Sequence, residues 1–184
     1  MGVQAENKGN QQHVSTTAPP ILIGLGANLP SPVHGAPAST LEAALRRLEE
    51  RGVNLLSCSH WWESAPIPVS DDPWYVNGVA EVATTLGPEA LLALLHDVEA
   101  EFGRVRPYPN APRVLDLDLL AFGNVRHEGP LPPLLPHPRL AERGFVLLPL
   151  AEIRPEWRHP VSGRSLPEMI AALPPGQIVR VLPQ

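Results

Sequence analysis

The chain has 184 residues, 43% of them apolar, and a formal net charge of −5. That length suits a single hydrophobic core, and the mild acidity argues against a protein that coats nucleic acid. The one cysteine, Cys58, excludes an internal disulfide framework and a cysteine-rich zinc site, and no stretch approaches the ~18 apolar residues of a membrane helix, so a cytoplasmic protein engaging neither membrane nor nucleic acid is expected.

Residues 1–19 are polar with almost no apolar content and read as a disordered leader, and residues 20–184 read as one domain. Ile21–Leu25 is a short apolar run closed by Gly24, Gly26 and Asn28, a buried strand and turn. A helix follows, with capping-box spacing at Ser39 and Glu42, a stripe of Leu41, Leu45 and Leu48, and Gly52 as its stop. Val53–Trp62 alternates like a strand. So does Tyr75–Ala83, which puts Val76, Ala80 and Val82 on one face and Tyr75, Asn77 and Glu81 on the other.

A second helix opens at Pro88, carries Leu91, Leu94, Leu95, Val98 and Phe102, and ends at Gly103. Val114–Phe122 reads as a strand with Leu115, Leu117 and Leu119 on one face and Asp116 and Asp118 on the other. The chain then becomes rich in proline, with a short helix expected near Pro138–Arg143, an apolar run at Phe145–Leu150 read as a strand opening at Phe145, and a helix near Leu166–Leu173. The order β-α-β-β-α-β is the split-βαβ arrangement of a ferredoxin-like α+β domain with a C-terminal extension. Both helices would then cover one sheet face and leave the other for loops and ligands.

Asp116-Leu117-Asp118 is the most informative piece. Two carboxylates two residues apart on a strand project from one face and can share a hard cation such as Mg²⁺, which takes one or two carboxylates plus water and phosphate. Alone, such a pair is more often a solvated strand face. Here Arg104, Arg106 and Arg113 lie just upstream and Arg139 and Arg143 downstream, and guanidinium forks suit phosphate oxygens. Metal ligands beside phosphate ligands are what phosphoryl transfer requires. A Walker-type loop is absent, and Leu29 stands where a dinucleotide fingerprint needs its third glycine. Tyr75 and Phe145 offer planes on which a flat heterocycle can stack, and the Asn77 amide offers a donor and an acceptor to its edge, although core packing is the commoner role for a residue placed like Phe145.

These residues resemble the 6-hydroxymethyl-7,8-dihydropterin pyrophosphokinase family from about Ile21 to Leu173. The resemblance is carried by Gly26-Ala27-Asn28-Leu29, Tyr75-Val76-Asn77, Glu99 with Gly103-Arg104-Val105-Arg106, Ala111-Pro112-Arg113-Val114-Leu115-Asp116-Leu117-Asp118-Leu119-Leu120, Pro136-His137-Pro138-Arg139 and Arg143-Gly144-Phe145. It implies that Asp116 and Asp118 bind two Mg²⁺ ions and that Arg104 and Arg113 serve the reacting groups. It implies ATP contacts at Glu99, Arg106, His137 and Arg143. It also implies a pterin sandwiched by Tyr75 and Phe145, bonded to Asn77 and read by Ser64, Ala65 and Ile67, mostly through backbone groups. The substrates would be ATP and 6-hydroxymethyl-7,8-dihydropterin, and the protein a monomer. Departures from the family pattern are Ala65, Pro68, Pro138 and the stretch Pro107–Ala111, which lacks an Arg-Trp pair. Two other readings share some of these features: a kinase that moves only the γ-phosphate, and a ferredoxin-like module that stacks RNA bases on Tyr75 and Phe145.

Overall fold

The computed structural model describes residues 19–66, 71–103 and 112–183. The expectations for the leader up to residue 18, for Ile67 and Pro68, and for Arg104, Arg106 and the stretch 107–111 fall outside the described residues.

The fold is α+β. Strands β1 (Ile21–Ala27), β2 (Asn54–Cys58), β3 (Trp62–Ser64), β4 (Tyr75–Ala83), β5 (Asp116–Phe122) and β6 (Val179–Val181) form one sheet with every pairing antiparallel. The order is β5-β1-β4-β3-β6, and β2 lies end to end with β3 along the same side of β4. Helices α1 (Pro37–Glu50) and α2 (Pro88–Glu101) cover one face. Their Leu41, Leu45, Leu48, Leu91, Leu95 and Val98 share a core with Ile23, Leu25 and Ala27 of β1, Val76, Ala80 and Val82 of β4, and Leu117 and Leu119 of β5. These are the inward faces the alternation had given for β4 and β5, and Gly52 and Gly103 end the helices at φ +82° and +81°, where a side chain is strained.

The start of α1 differs from expectation. Ser39 and Glu42 form no cap; Pro37 is the first helical residue behind the N-cap Ala36, and its fixed φ begins the helix three residues before the start that a Ser39 cap would give. The expected strand Val53–Trp62 is also interrupted. The ring of Trp61 lies over Gly78, where an added Cβ would come within 2.5 Å of it. Ser59 meanwhile bonds Val79 twice, its N–H donating to the Val79 carbonyl at 3.0 Å and its Oγ accepting the Val79 N–H at 3.1 Å. The chain therefore leaves the ladder after Cys58 and rejoins it at Trp62.

The opposite face is not left open along its whole length. Phe145 does not begin a strand: Gly144–Ile153 is a helix, α3. Its first amide, Gly144 N–H, donates to Gln177 Oε1 at 2.8 Å, and the Arg143 carbonyl accepts from Val146 and Leu147 at 3.0 Å each. Val146, Leu147 and Leu150 of α3 pack with Leu166 and Met169 of α4 (Leu166–Ala171), with Trp157 and Leu140, and with Leu22, Val79 and Leu120 of the sheet. A two-point ion pair between Arg154, which ends α3, and Glu81 of β4 fastens this layer to the sheet. The expected short helix near Pro138–Arg143 is one 3₁₀ turn, Leu140–Glu142. The layer covers one end of the face, and the other end carries Tyr75, Asn77, Asp116 and Asp118.

Candidate active site

Register builds the floor of the site. Asp116 lies opposite Gly26, Gly26 opposite Asn77, and Asn77 opposite Trp62, one residue from each of four neighbouring strands. Directly opposed residues share a face. Gly26 carries nothing there: a Cβ would sit 3.5 Å from Asn77 Oδ1 and 3.8 Å from Asp116 Cβ, so the missing side chain leaves space between the amide and the carboxylate. Ser64 and Tyr75 form the next row. The Asn77 amide is 5% exposed and donates through Nδ2 to Ser64 Oγ at 2.9 Å, which turns its Oδ1 toward Gly26.

Each carboxylate holds an arginine. Arg113 Nη1 donates to Asp116 Oδ2 at 3.0 Å, and Arg143 Nη1 to Asp118 Oδ2 at 3.1 Å. Each guanidinium also lies over a ring, Arg113 over Tyr75 at 5.7 Å and Arg143 over Phe145 at 5.5 Å. Burial works against the charge of both. At Arg113, Asp116 and Tyr75 outweigh it and lift the pKa; at Arg143 burial prevails over Asp118 and lowers it. Arginine stays protonated in either case. The Nε of Arg113 and that of Arg143 are buried without a hydrogen-bond partner, so the ion pairs with the two aspartates run through the Nη1 ends of the forks.

His137 belongs to the same cluster. Its Nδ1 accepts the Arg139 N–H at 3.1 Å, which assigns the ring proton to Nε2 in the neutral form. Burial pushes its pKa below the ordinary value, Asp118 pulls it up, and the charges of Arg143 and Arg139 push it down.

Three residues stand apart from simple expectation. Glu99 is buried, 3% exposed, and its Oε1 accepts the Leu117 N–H at 2.6 Å, so its carboxylate is engaged at the edge of β5. The Ala65 N–H donates to the Ile178 carbonyl at 3.1 Å, which commits that backbone donor to the fold. Asn28, read from sequence as closing the turn after the first strand, is also a clasp. Its Oδ1 accepts the Arg113 N–H at 2.8 Å and its Nδ2 donates to the Pro73 carbonyl at 3.1 Å. It thereby ties the segment before β5 to the segment before β4. An Asn just past a buried strand was the available signal.

Among the described residues no group of three or more His, Cys, Asp or Glu forms a metal cage. The Asp pair nonetheless fits Mg²⁺, which draws its remaining ligands from water and phosphate. Paired carboxylates between phosphate-suited arginines, on an antiparallel sheet with aromatic rings beside them, have the donor set that phosphoryl transfer uses. The comparisons give the family. Residues 22–155 match the family model described as 7,8-dihydro-6-hydroxymethylpterin-pyrophosphokinase (HPPK), and the chain belongs to that family. The 2-amino-4-hydroxy-6-hydroxymethyldihydropteridine pyrophosphokinase of Pseudomonas aeruginosa is 43% identical over 155 residues, 84% of this chain and 91% of that protein. The protein of the same name from Synechocystis sp. is 36% identical over 149 residues, 81% of this chain and 73% of the other. Among solved structures, wild-type Plasmodium falciparum HPPK-DHPS superposes with a TM-score of 0.64 at 14% identity, over 84% of this chain and 44% of that one. The last likeness speaks to fold alone, and the chain spans less than half the length of that structure.

Proposed function

We propose that Asp116 and Asp118 hold two Mg²⁺ ions at the phosphates of ATP, and that the arginines around them receive the group in transfer. The chain is a pyrophosphokinase: it moves pyrophosphate from ATP to 6-hydroxymethyl-7,8-dihydropterin, releasing AMP, in folate synthesis. The single observation that carries the residue assignment is the pair of ion pairs, Arg113–Asp116 and Arg143–Asp118, side by side on one strand face.

The reaction joins the pterin hydroxymethyl oxygen, whose proton is released to solvent, to the β-phosphorus and breaks the bond from that phosphorus to the oxygen bridging it to the α-phosphate, which leaves on AMP. Bound metal supplies Lewis-acid stabilisation of the phosphate charge. Arg113 and Arg143 orient phosphate oxygens through their guanidinium N–H groups and neutralise charge as it spreads over the transferring group. His137, neutral with its proton on Nε2, donates a further hydrogen bond to a phosphate oxygen. Tyr75 and Phe145 flank the flat pterin, and Asn77 Oδ1, fixed by Ser64, accepts from its edge. Space for the ring edge is left by Gly26. Arg104, Arg106 and Ile67 enter this reading through the resemblance alone.

The finer fold reading is ferredoxin-like, supported by the antiparallel order β5-β1-β4 with β2 and β3 beyond, and by α1 and α2 on one face. Residues 20–184 form one domain in this reading, acting as a monomer. A cytoplasmic setting rests on ATP as co-substrate and on the single cysteine. No helix among the described residues is long and apolar enough to cross a membrane.

Substitution of each aspartate tests the assignment. Asp116→Ala and Asp118→Ala should each lower kcat by about 100-fold or more while the chain stays folded. Near-parental turnover with Mg²⁺ in either variant would remove that residue from the metal site.

A further inference from the structure

Leu117 stands between the two aspartates, and its side chain points into the α1–α2 core while theirs point to the other face. Its backbone N–H is one of those that point away from β1, on the outer edge of β5, the last strand on that side of the sheet among the described residues. An N–H at a sheet edge ordinarily turns to water or to another chain. This one is taken inside the protein: Glu99 Oε1 accepts it at 2.6 Å. Glu99 comes from the last turn of α2, on the helix face that also buries Leu95 and Val98.

A carboxylate buried to 3% exposure is costly unless its oxygens are bonded. An apolar side chain would fill this helix position without that cost, so the value of the acid lies in what it holds. Through Oε1 it holds the peptide unit joining Asp116 to Leu117. Because side chains alternate along a strand, a small rotation or slip there re-aims Asp116 and Asp118 together.

We infer that Glu99 is a positioning residue for the metal-holding pair, acting through the Leu117 amide and not by touching the nucleotide. The inference rests on the reading of Asp116 and Asp118 as metal ligands. It converts a residue whose family resemblance suggests an ATP contact into a strut beneath the strand that carries the chemistry.

The test uses the full chain and three variants. E99Q keeps an oxygen that accepts the Leu117 N–H, E99L fills the volume without an acceptor, and D116N removes a metal-holding charge. Mn²⁺ affinity is read by electron paramagnetic resonance with a non-hydrolysable ATP analogue present, alongside kcat and KM for ATP. E99L should lose Mn²⁺ affinity and kcat by about tenfold or more, as lost outer supports of metal ligands do, with KM for ATP little changed. E99Q should recover most of both. Three results would overturn the inference. One is a KM for ATP raised as much in E99Q as in E99L, which marks direct contact by the charge. Another is an E99L chain that melts lower but keeps parental Mn²⁺ affinity and kcat. The third is parental Mn²⁺ affinity in D116N, which removes the metal reading and the inference with it. If E99L does not fold, E99Q decides: an intact Mn²⁺ affinity and KM support the strut, and a large rise in KM for ATP refutes it.

Discussion

Arg143 Nη1 lies 3.1 Å from Asp118 Oδ2, across 25 residues of chain. The pair meets because α3 begins directly after Arg143 and is seated by the second core, which aims the side chain back at β5. Arg143→Ala should lower kcat/KM for ATP on the order of 10- to 100-fold, the scale of a lost charge-assisted hydrogen bond. Asp118 keeps about a third of its side chain exposed, so the same change should cost only about 1 kcal/mol of stability or less. Parental kcat/KM in a steady-state assay with ATP varied would contradict the assignment.

Tyr75 faces the Arg113 guanidinium and neighbours Ser64 across the sheet, at the end of the face away from the α3 layer. Tyr75→Ala should weaken pterin binding by roughly tenfold, about the energy of one aromatic stack plus its buried area, and ATP binding by much less. Calorimetric titration with each ligand separates the two. A larger loss for ATP would refute the stacking role.

How much of this was legible in the sequence follows from which forces are local. Alternation in Tyr75–Ala83 and around Asp116–Asp118 gave the correct faces, because successive side chains of a strand point to opposite sides of the sheet whatever covers each side. Gly52 and Gly103 marked helix ends because only glycine adopts their positive φ without strain. The α3 segment misled because Phe145–Leu150 is apolar on every side, buried between the sheet and α4, and so shows no helical stripe. The break between β2 and β3 depends on Trp61 meeting Gly78, a tertiary contact with no local signature. Strand β6, three residues paired to β3, was not anticipated for the same reason. The site residues were found by type and spacing. Their pairing, Arg113 with Asp116 and Arg143 with Asp118, and the engagement of Glu99 by Leu117 required the fold.

The ion pair between Arg154 and Glu81 is the main polar tie between α3 and the sheet. Glu81 is buried, so removing its partner strands a charge in a poor medium. Arg154→Met should cost about 3 kcal/mol in urea unfolding, the scale for breaking a buried pair from one side. A stability change below about 1 kcal/mol would show that the pair is as weak as a surface one.

His137 supplies a pH dependence. Burial holds its pKa below the ordinary 6.5 in the folded chain. The unfolded chain therefore takes up that proton first, and the stability contributed by His137 is present above pH 6.5 and lost as pH falls through the folded value. His137→Gln should lose less stability than the parent chain between pH 7.5 and 5.5, measured by urea unfolding at both. Equal losses would contradict the buried, neutral state.

The most direct test of the account is the nucleotide product formed from ATP and 6-hydroxymethyl-7,8-dihydropterin with Mg²⁺. AMP is the expected product, formed only when pterin and metal are both present and lost in Asp116→Ala. Formation of ADP would contradict pyrophosphoryl transfer, and AMP formation undiminished in Asp116→Ala would contradict the site.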